Sequence, residues 1–258
     1  DAILTDAQYK AAPGIQMIPT VAGAIVPTYN LSGDDGKPIT ATIKFPYTSV
    51  ADIFLGKIKK WNDPVLTTAN PDLKLPAKDI LVVHRSDGSG TTFAFTDYLS
   101  QVSPEWKSQV GSASAVKWPT GLGGKGNEGV SGTVAQNDSA IGYVELAYAL
   151  QNKLAYGSVQ NKAGEYAKAT TESVQSAMAD FGTDMGDKLA ISIANAPGKS
   201  SWPIATYTYL LVYMDQTDCT KAQKVVGFIK WALSDGTKFA NELLYVPLPD
   251  AVKSQVLA

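Results

Sequence analysis

Short apolar runs alternate with amphipathic stretches along most of the chain. Residues 80–83 form an apolar run typical of a buried strand, and apolar positions within residues 93–102 then recur at helical spacing. Further on, residues 206–214 are aromatic and aliphatic throughout, and residues 225–233 again show an amphipathic helical pattern. Strands that alternate with helices predict an α/β fold with right-handed crossovers.

The same patterns predict several other elements. Residues 16–21 and residues 21–29 are predicted as two successive strands. Residues 162–187 are rich in Ala and Ser and are predicted to be helical, and residues 188–193 are predicted as a strand.

The turn between the strand predicted at residues 80–83 and the helix predicted at residues 93–102 has the sequence HRSDGSGTT, residues 84–92. Ser89 is a good N-cap residue, and the glycines on either side of it let the backbone approach a ligand closely. The first helical amides, at Gly90, Thr91 and Thr92, would then lack intrahelical acceptors and point outward. Such a helix start is suited to binding an anion.

Two charged residues within this turn bear on its interpretation as an anion site. Arg85, at the end of the predicted strand, adds a planar and always charged donor fork. Asp87 can hold the fork in place, or it can limit how much negative charge the site accepts.

A purely structural interpretation of the turn stays open, because Gly/Ser-rich turns before helices are often simple caps. The turn is not a Walker A loop, since Thr91 stands where the lysine would be, and it lacks the G-x-S-x-G spacing of a nucleophile elbow. A second glycine-rich stretch, residues 121–127, could be another phosphate cradle, but a tight connection into the next helix is the favoured interpretation.

Four segments together make a resemblance specific: RSDGSGTT, TDYLSQVSPEWKSQVG, KWPTGLGGKGNEGV and AIGYVELAYA. They closely resemble the periplasmic phosphate-binding proteins of bacterial high-affinity phosphate ABC transporters, within the type II periplasmic solute-binding proteins. The resemblance extends from Asp1 to near Leu257 and is strongest over residues 55–148.

This resemblance implies a two-lobe periplasmic-binding-protein (Venus-flytrap) fold. Residues 1–20 and 203–258 would form a discontinuous first lobe, and residues 21–202 the second. The family normally carries several dozen residues ahead of the position of Asp1, including a strand and two loops that supply hydroxyl and amide donors. The first lobe is therefore expected to be incomplete in the chain as given.

The resemblance also implies a site for inorganic phosphate. Its donors on the second lobe would be Arg85, Ser89, Gly90 and Thr91. Asp87 would pair with the arginine and moderate its charge, and Asp1 would accept a hydrogen bond from the ligand. Phosphate near neutral pH keeps at least one proton, whereas sulfate has none, so a sulfate oxygen facing a carboxylate would cost ~1–3 kcal/mol or more.

In such proteins the ligand lies between the lobes and draws them together by hinge closure. The closed form then presents phosphate to the membrane permease subunits of an ABC importer. The resemblance thus implies a solute-binding subunit and no enzyme activity.

Composition narrows the function classes further. The chain has 258 residues, of which 45% are hydrophobic, and a formal net charge of −2. This balance argues against a nucleic-acid partner. We expect no transmembrane helix, because no run of ~20 apolar residues occurs. No signal peptide is visible either; export would already have removed it from a mature protein, and a periplasmic location is expected.

The counts of Cys and His bear on redox and metal chemistry. Cys219 is the single cysteine and His84 the single histidine, so an internal disulfide and a site with several His ligands are both excluded. Neither a metal nor another cofactor is expected. With no pattern for a subunit interface, a monomer is expected.

Three other functions stay open from the sequence. The first is a phosphohydrolase that uses Ser89 as nucleophile, for which His84 is the only histidine that could serve as base. The second is a binder of another tetrahedral oxyanion, such as sulfate. The third is a surface or structural protein without a transport role.

Overall fold

The computed structural model describes residues 1–182 and 184–258. The helices are α1 (Asp6–Ala11), α2 (Ser49–Phe54), α3 (Pro64–Ala69), α4 (Gly90–Val102), α5 (Pro104–Gln109), α6 (Gly126–Gln136), α7 (Leu146–Gln151), α8 (Thr171–Asp180), α9 (Cys219–Leu233), α10 (Thr237–Glu242) and α11 (Asp250–Leu257). The strands are β1 (Ile15–Asn30), β2 (Lys44–Phe45), β3 (Leu81–Arg85), β4 (Leu122–Gly124), β5 (Ala140–Glu145), β6 (Ala155–Tyr156), β7 (Ser158–Gln160), β8 (Tyr166–Ala167), β9 (Ala205–Tyr213) and β10 (Val246–Pro247).

Strand β1 is continuous over 16 residues and takes part in both halves of the main sheet. Its first part pairs antiparallel with β9, from Ile15 opposite Tyr213 to Ala24 opposite Ala205. Its last part pairs antiparallel with β5, beginning at Ile25. The pairing partner thus changes between two adjacent residues, and one strand joins two groups of strands.

The prediction of two strands over residues 16–21 and 21–29 was therefore wrong in its boundary. The register with β9 shifts between Pro19 and Val21. Proline has no N–H to donate to a sheet, and a bulge lets the chain pass over this position while the strand continues.

The half of the sheet beyond Ile25 positions the predicted anion turn. Strands β5, β3 and β4 lie side by side in parallel, with Leu81 opposite Ala140 and Val83 opposite Leu122. The carboxyl end of β3 therefore lies between the ends of two neighbouring strands, and α4 begins five residues after β3 ends. A separate three-stranded sheet of β2, β7 and β8 lies elsewhere in the fold.

The core is built around aromatic side chains. Trp61, Trp106 and Trp202 are fully buried. Two of them also satisfy backbone carbonyls: Trp61 Nε1 donates to the Ser139 oxygen and Trp202 Nε1 to the Ile25 oxygen, each at 3.0 Å. A buried indole is well accommodated when its N–H has such a partner.

Two segments differ from the predicted secondary structure. Within residues 162–187, the chain forms the short strand β8 and then α8, which is started by a capping box at Thr170. Residues 188–193 form no strand. There the Tyr209 hydroxyl donates to the Ile191 oxygen at 3.0 Å and accepts from the Ile191 amide at 3.3 Å, so a side chain takes the place of a neighbouring strand.

Several apolar side chains near β9 and α9 lie exposed on the surface of the described residues. They are Leu211, Tyr213, Met214, Phe228 and Trp231. Among residues 1–182 and 184–258, no helix has the length and apolar character that a membrane span requires.

The Trp202 indole gives a test of the core. Trp202→Phe keeps an aromatic ring but removes the donor to the Ile25 carbonyl. We expect the free energy of unfolding to fall by about 1–3 kcal/mol, because a buried acceptor loses its partner. Urea denaturation measures this difference.

Trp231→Phe is the matched control, because Trp231 is 44% exposed. It should change the free energy of unfolding by no more than about 0.5 kcal/mol. Equal effects of the two substitutions would contradict a structural role for the Trp202 hydrogen bond.

Candidate anion-binding site

The start of α4 presents two of the three unpaired backbone donors that the sequence predicted, whereas the Thr92 amide is paired. The Ser89 hydroxyl accepts from the Thr92 amide at 3.2 Å and caps the helix. The Ser89 amide donates to the Ser114 oxygen at 2.9 Å, which anchors the turn. The amides of Gly90 and Thr91 have no acceptor among the residues described, as expected for the first turn of a helix. Both can therefore serve an anion.

Arg85 and Asp87 form a bidentate pair beside this helix start. The Arg85 Nε lies 2.8 Å from Asp87 Oδ1, and the second guanidinium nitrogen lies 2.6 Å from Oδ2. The Gly126 amide also donates to Asp87 Oδ1 at 3.1 Å. Mainly the guanidinium, and then this amide, hold the pKa of the Asp87 carboxyl well below its usual range. Asp87 therefore fixes the fork and offsets part of its charge.

The glycine-rich residues 121–127 form a tight connection that supports Asp87. A Cβ on Gly124 would lie 2.7 Å from the backbone of Gly129, so only glycine allows this approach. Gly121 has φ +108°, a conformation that L side chains rarely adopt. The connection delivers the Gly126 amide to the carboxylate.

Asp1 lies directly against the helix start. A Cβ built on Gly90 would lie 2.8 Å from Asp1 Cβ and 2.9 Å from Asp1 Oδ2. The other carboxylate oxygen accepts from the Thr208 hydroxyl on β9 at 3.1 Å. The structure thus brings Asp1, from the β9 side of the molecule, onto the same turn as the predicted donors Ser89, Gly90 and Thr91.

Tyr143 was missed by the sequence analysis, although it holds the site together. The Arg85 amide donates to the Tyr143 hydroxyl at 3.3 Å, and this hydroxyl lies 2.7 Å from Thr92 Oγ1. Burial raises the pKa of the Tyr143 phenol to about 12. A neutral hydroxyl therefore ties the end of β3 to the first turn of α4.

Glu145 and Thr208 were also missed. Glu145 ends β5, and its Oε1 lies 3.4 Å from the Thr91 hydroxyl. Its Oε2 accepts from the Tyr245 hydroxyl. The sequence shows the buried run at residues 140–144. That Glu145, which follows this run, faces the turn is clear only once β5 is known to lie beside β3 in the sheet. Nothing in the sequence marks Thr208.

His84 is engaged away from the helix start. Its ring stacks on Trp118 with centroids 4.7 Å apart, and Nδ1 lies 3.0 Å from the Arg85 oxygen. Burial lowers the pKa of the imidazole. For residues 1–182 and 184–258, no group of His, Cys, Asp and Glu is arranged to hold a metal ion. The donors that the site offers to an anion are the free amides at the start of α4 and the Arg85 guanidinium.

Comparisons with known proteins identify the family of this chain. A family model described as a PBP superfamily domain matches residues 1–236. The phosphate-binding protein PstS of Xylella fastidiosa (strain 9a5c) is 44% identical over 253 residues, which cover 98% of this chain and 68% of that protein. PstS of Haemophilus influenzae is 48% identical over 240 residues, which cover 92% and 70%.

A solved structure supports the fold. It is that of a high affinity periplasmic phosphate-binding protein (PfluDING) bound with phosphate at pH 8.5, and it aligns with a TM-score of 0.74 at 19% identity. The alignment covers 99% of this chain and 76% of that chain. The predicted α/β fold of the periplasmic binding proteins is thus confirmed.

Gly90 offers a direct test of the contact with Asp1. Gly90→Ala keeps the backbone amide but places a methyl group where Asp1 lies. We expect the affinity for inorganic phosphate to fall about tenfold or more, because the carboxylate must move away from the turn. Isothermal titration measures the affinity.

Gly132→Ala is the matched control, because Gly132 lies on α6 and a Cβ there meets no heavy atom within 4 Å. It should leave the affinity within about twofold of the wild type. If both variants bind phosphate alike, the contact between Asp1 and Gly90 has no role in binding.

The Asp87 carboxylate gives a pH-dependent prediction. A lowered pKa in the folded state contributes stability above the ordinary pKa near ~4, and this stability is lost as the pH falls through the lowered value. Asp87→Asn should lower the free energy of unfolding by about 1 kcal/mol at neutral pH. The expected loss of stability is modest because the Asp87 side chain is 32% exposed and solvent screens its charge.

The difference in the free energy of unfolding between the wild type and Asp87→Asn should shrink as the pH falls below about 4. Chemical denaturation at a series of pH values measures it. A gap that stays constant down to about pH 3 would contradict a contribution from the charge of Asp87.

Proposed function

The chain belongs to the PBP superfamily and, within it, to the PstS phosphate-binding proteins, and we propose on this basis that it binds inorganic phosphate and delivers it to a phosphate ABC importer. The solved relative is a periplasmic protein with bound phosphate. The proposal includes a periplasmic location and a monomer that docks on the membrane permease subunits of the importer.

One observation carries the choice of ligand: unpaired amides, an arginine and a carboxylate meet at one turn. The Gly90 and Thr91 amides, the Ser89 hydroxyl and the Arg85 fork can donate to an anion. Asp1 can only accept while it is ionised. An anion that satisfies both kinds of group must keep a proton of its own, as phosphate does near neutral pH.

The lobes proposed for this action are residues 1–20 with 203–258, and residues 21–202. Along β1, pairing passes from Ala24 with β9 to Ile25 with β5, four residues beyond the boundary proposed at residues 20 and 21. Asp1 is held from the β9 side by Thr208, whereas Arg85 and the start of α4 lie on the β5 side. Ligand binding between them would draw the lobes together by hinge closure.

The alternatives drawn from the sequence are less well supported. A phosphohydrolase would need a base within reach of the Ser89 hydroxyl, but His84 is stacked on Trp118 and contacts a backbone oxygen. A sulfate binder would need donors in place of the Asp1 carboxylate. Binding and release of phosphate require neither catalysis nor a cofactor.

Titration of the dialysed full-length protein with phosphate and with sulfate near neutral pH tests the proposal. We expect phosphate to bind and sulfate to bind at least about a hundredfold more weakly, because its oxygen would face the Asp1 carboxylate without a proton between them. Equal binding of the two anions, or no binding of phosphate, would refute the proposed function.

Asp1→Asn sharpens this test. The amide can donate to a sulfate oxygen, so the preference for phosphate over sulfate should fall about tenfold or more. Titration of the variant with both anions measures the ratio. An unchanged ratio would remove Asp1 as the group that selects a protonated anion.

A further inference from the structure

Glu145 occupies an N-cap position but does not cap its helix. It precedes α7, and its side chain makes no hydrogen bond to the first amides of that helix. The carboxylate instead reaches the Thr91 hydroxyl at 3.4 Å and the Tyr245 hydroxyl. Local helix structure therefore does not explain its orientation, and the Thr91 contact lies at the anion site.

The contact with Thr91 has a consequence for ligand binding. Thr91 is 3% exposed, and its hydroxyl carries a single proton. When this proton points to Glu145, the hydroxyl offers only lone pairs to an anion. An anion that uses Thr91 as a donor must therefore take the proton away from a carboxylate.

Tyr245 reaches Glu145 from the other part of the sheet. It directly precedes β10, which pairs with β1 at Val21 and Ala22. Its ring lies on β1, where a Cβ at Gly23 would be 3.4 Å from the ring. Leu244 before it has φ +64°, which is rare for a residue with a side chain, and the Tyr245 amide donates to the Ala240 oxygen at 2.9 Å, so a backbone hydrogen bond closes this turn after α10.

The Tyr245 hydroxyl acts as the donor in this pair. Burial, and then the nearby charge of Glu145, raise the pKa of the Tyr245 phenol. Its proton therefore stays in place near neutral pH and neutralises part of the charge on the carboxylate. Without that donor, Glu145 would be left with Thr91 as its hydrogen-bond partner among the described residues.

We propose that Glu145 is a further residue of the anion site, whose carboxylate holds the Thr91 hydroxyl until an anion displaces it, and that Tyr245 is a positioning residue that fixes Glu145 there. The proposal rests on the proposed function and adds a residue to that site. Glu145 disfavours ligands with the most negative charge and no proton, and Tyr245 sets how strongly it does so.

Glu145→Gln tests the first part in the full-length protein. The amide removes the charge and can donate to Thr91 Oγ1, which leaves the hydroxyl proton free for the ligand. We expect the dissociation constant for phosphate to fall about three- to tenfold, and that for sulfate to fall by at least the same factor. Isothermal titration measures both.

Glu128→Gln is the matched control for charge alone. Glu128 raises the pKa of Arg85 through space but has no hydrogen bond to the start of α4 within the described residues. Removal of the Glu128 charge should change the dissociation constant for phosphate by less than about twofold. If Glu145→Gln and Glu128→Gln gain affinity for phosphate equally, or if Glu145→Gln gains none, the proposal is overturned.

Tyr245→Phe tests the second part through a double-mutant cycle. The ring stays on Gly23, but Glu145 loses its donor and holds Thr91 more strongly, so phosphate should bind about three- to tenfold more weakly. In the Glu145→Gln background the same substitution should change binding by less than about twofold. The same factor in both backgrounds would show that Tyr245 acts independently of Glu145.

Thermal unfolding without ligand checks that each variant is folded. If Glu145→Gln does not fold, Glu145→Asp withdraws the carboxylate from Thr91, and tighter phosphate binding is again expected; no gain would overturn the proposal. Wild-type protein that binds no phosphate would refute the proposed function itself. Wild-type binding with unaffected variants would refute only the role of Glu145 and Tyr245.

Discussion

The hydrogen bonds of β1 are the constraint on which the rest of the structure depends. Its backbone groups must be paired along most of its length, and its partners come from distant parts of the chain: β9 and β10 near the end, β5 and β6 from the middle. Satisfying these groups brings both ends of the sequence beside the central segment. The pairing of β1 with β9 puts Thr208, which holds Asp1, in the same sheet as β3, which leads into the anion turn.

The anion site relies on dipoles more than on net charge. Its one arginine is already paired with Asp87, and the carboxylates of Asp1 and Glu145 lie close to the same helix start. Amides held by a helix keep their orientation without a ligand, so they need little rearrangement when an anion arrives. Under the proposed function, the carboxylates distinguish anions by their protons, which a cluster of lysines would not do.

The parts of the site that follow from local sequence could be predicted, and the parts that follow from pairing could not. Ser89 as a cap, the free amides after it and the Arg85–Asp87 pair all lie within a few residues of one another. Tyr143 and Glu145 enter the site because β5 pairs with β1 and lies beside β3. The strand expected at residues 188–193 failed for a similar reason, since a distant tyrosine hydroxyl satisfies that backbone.

The continuity of β1 also has a thermodynamic consequence. Strands on either side of Ala24 and Ile25 share one backbone, and Trp202 adds a buried hydrogen bond at that point. If one half of the sheet unfolded, residues of β1 next to the other half would lose their backbone hydrogen bonds. We therefore expect the two proposed lobes to unfold as one cooperative unit, because the hinge proposed between them runs through this continuous strand.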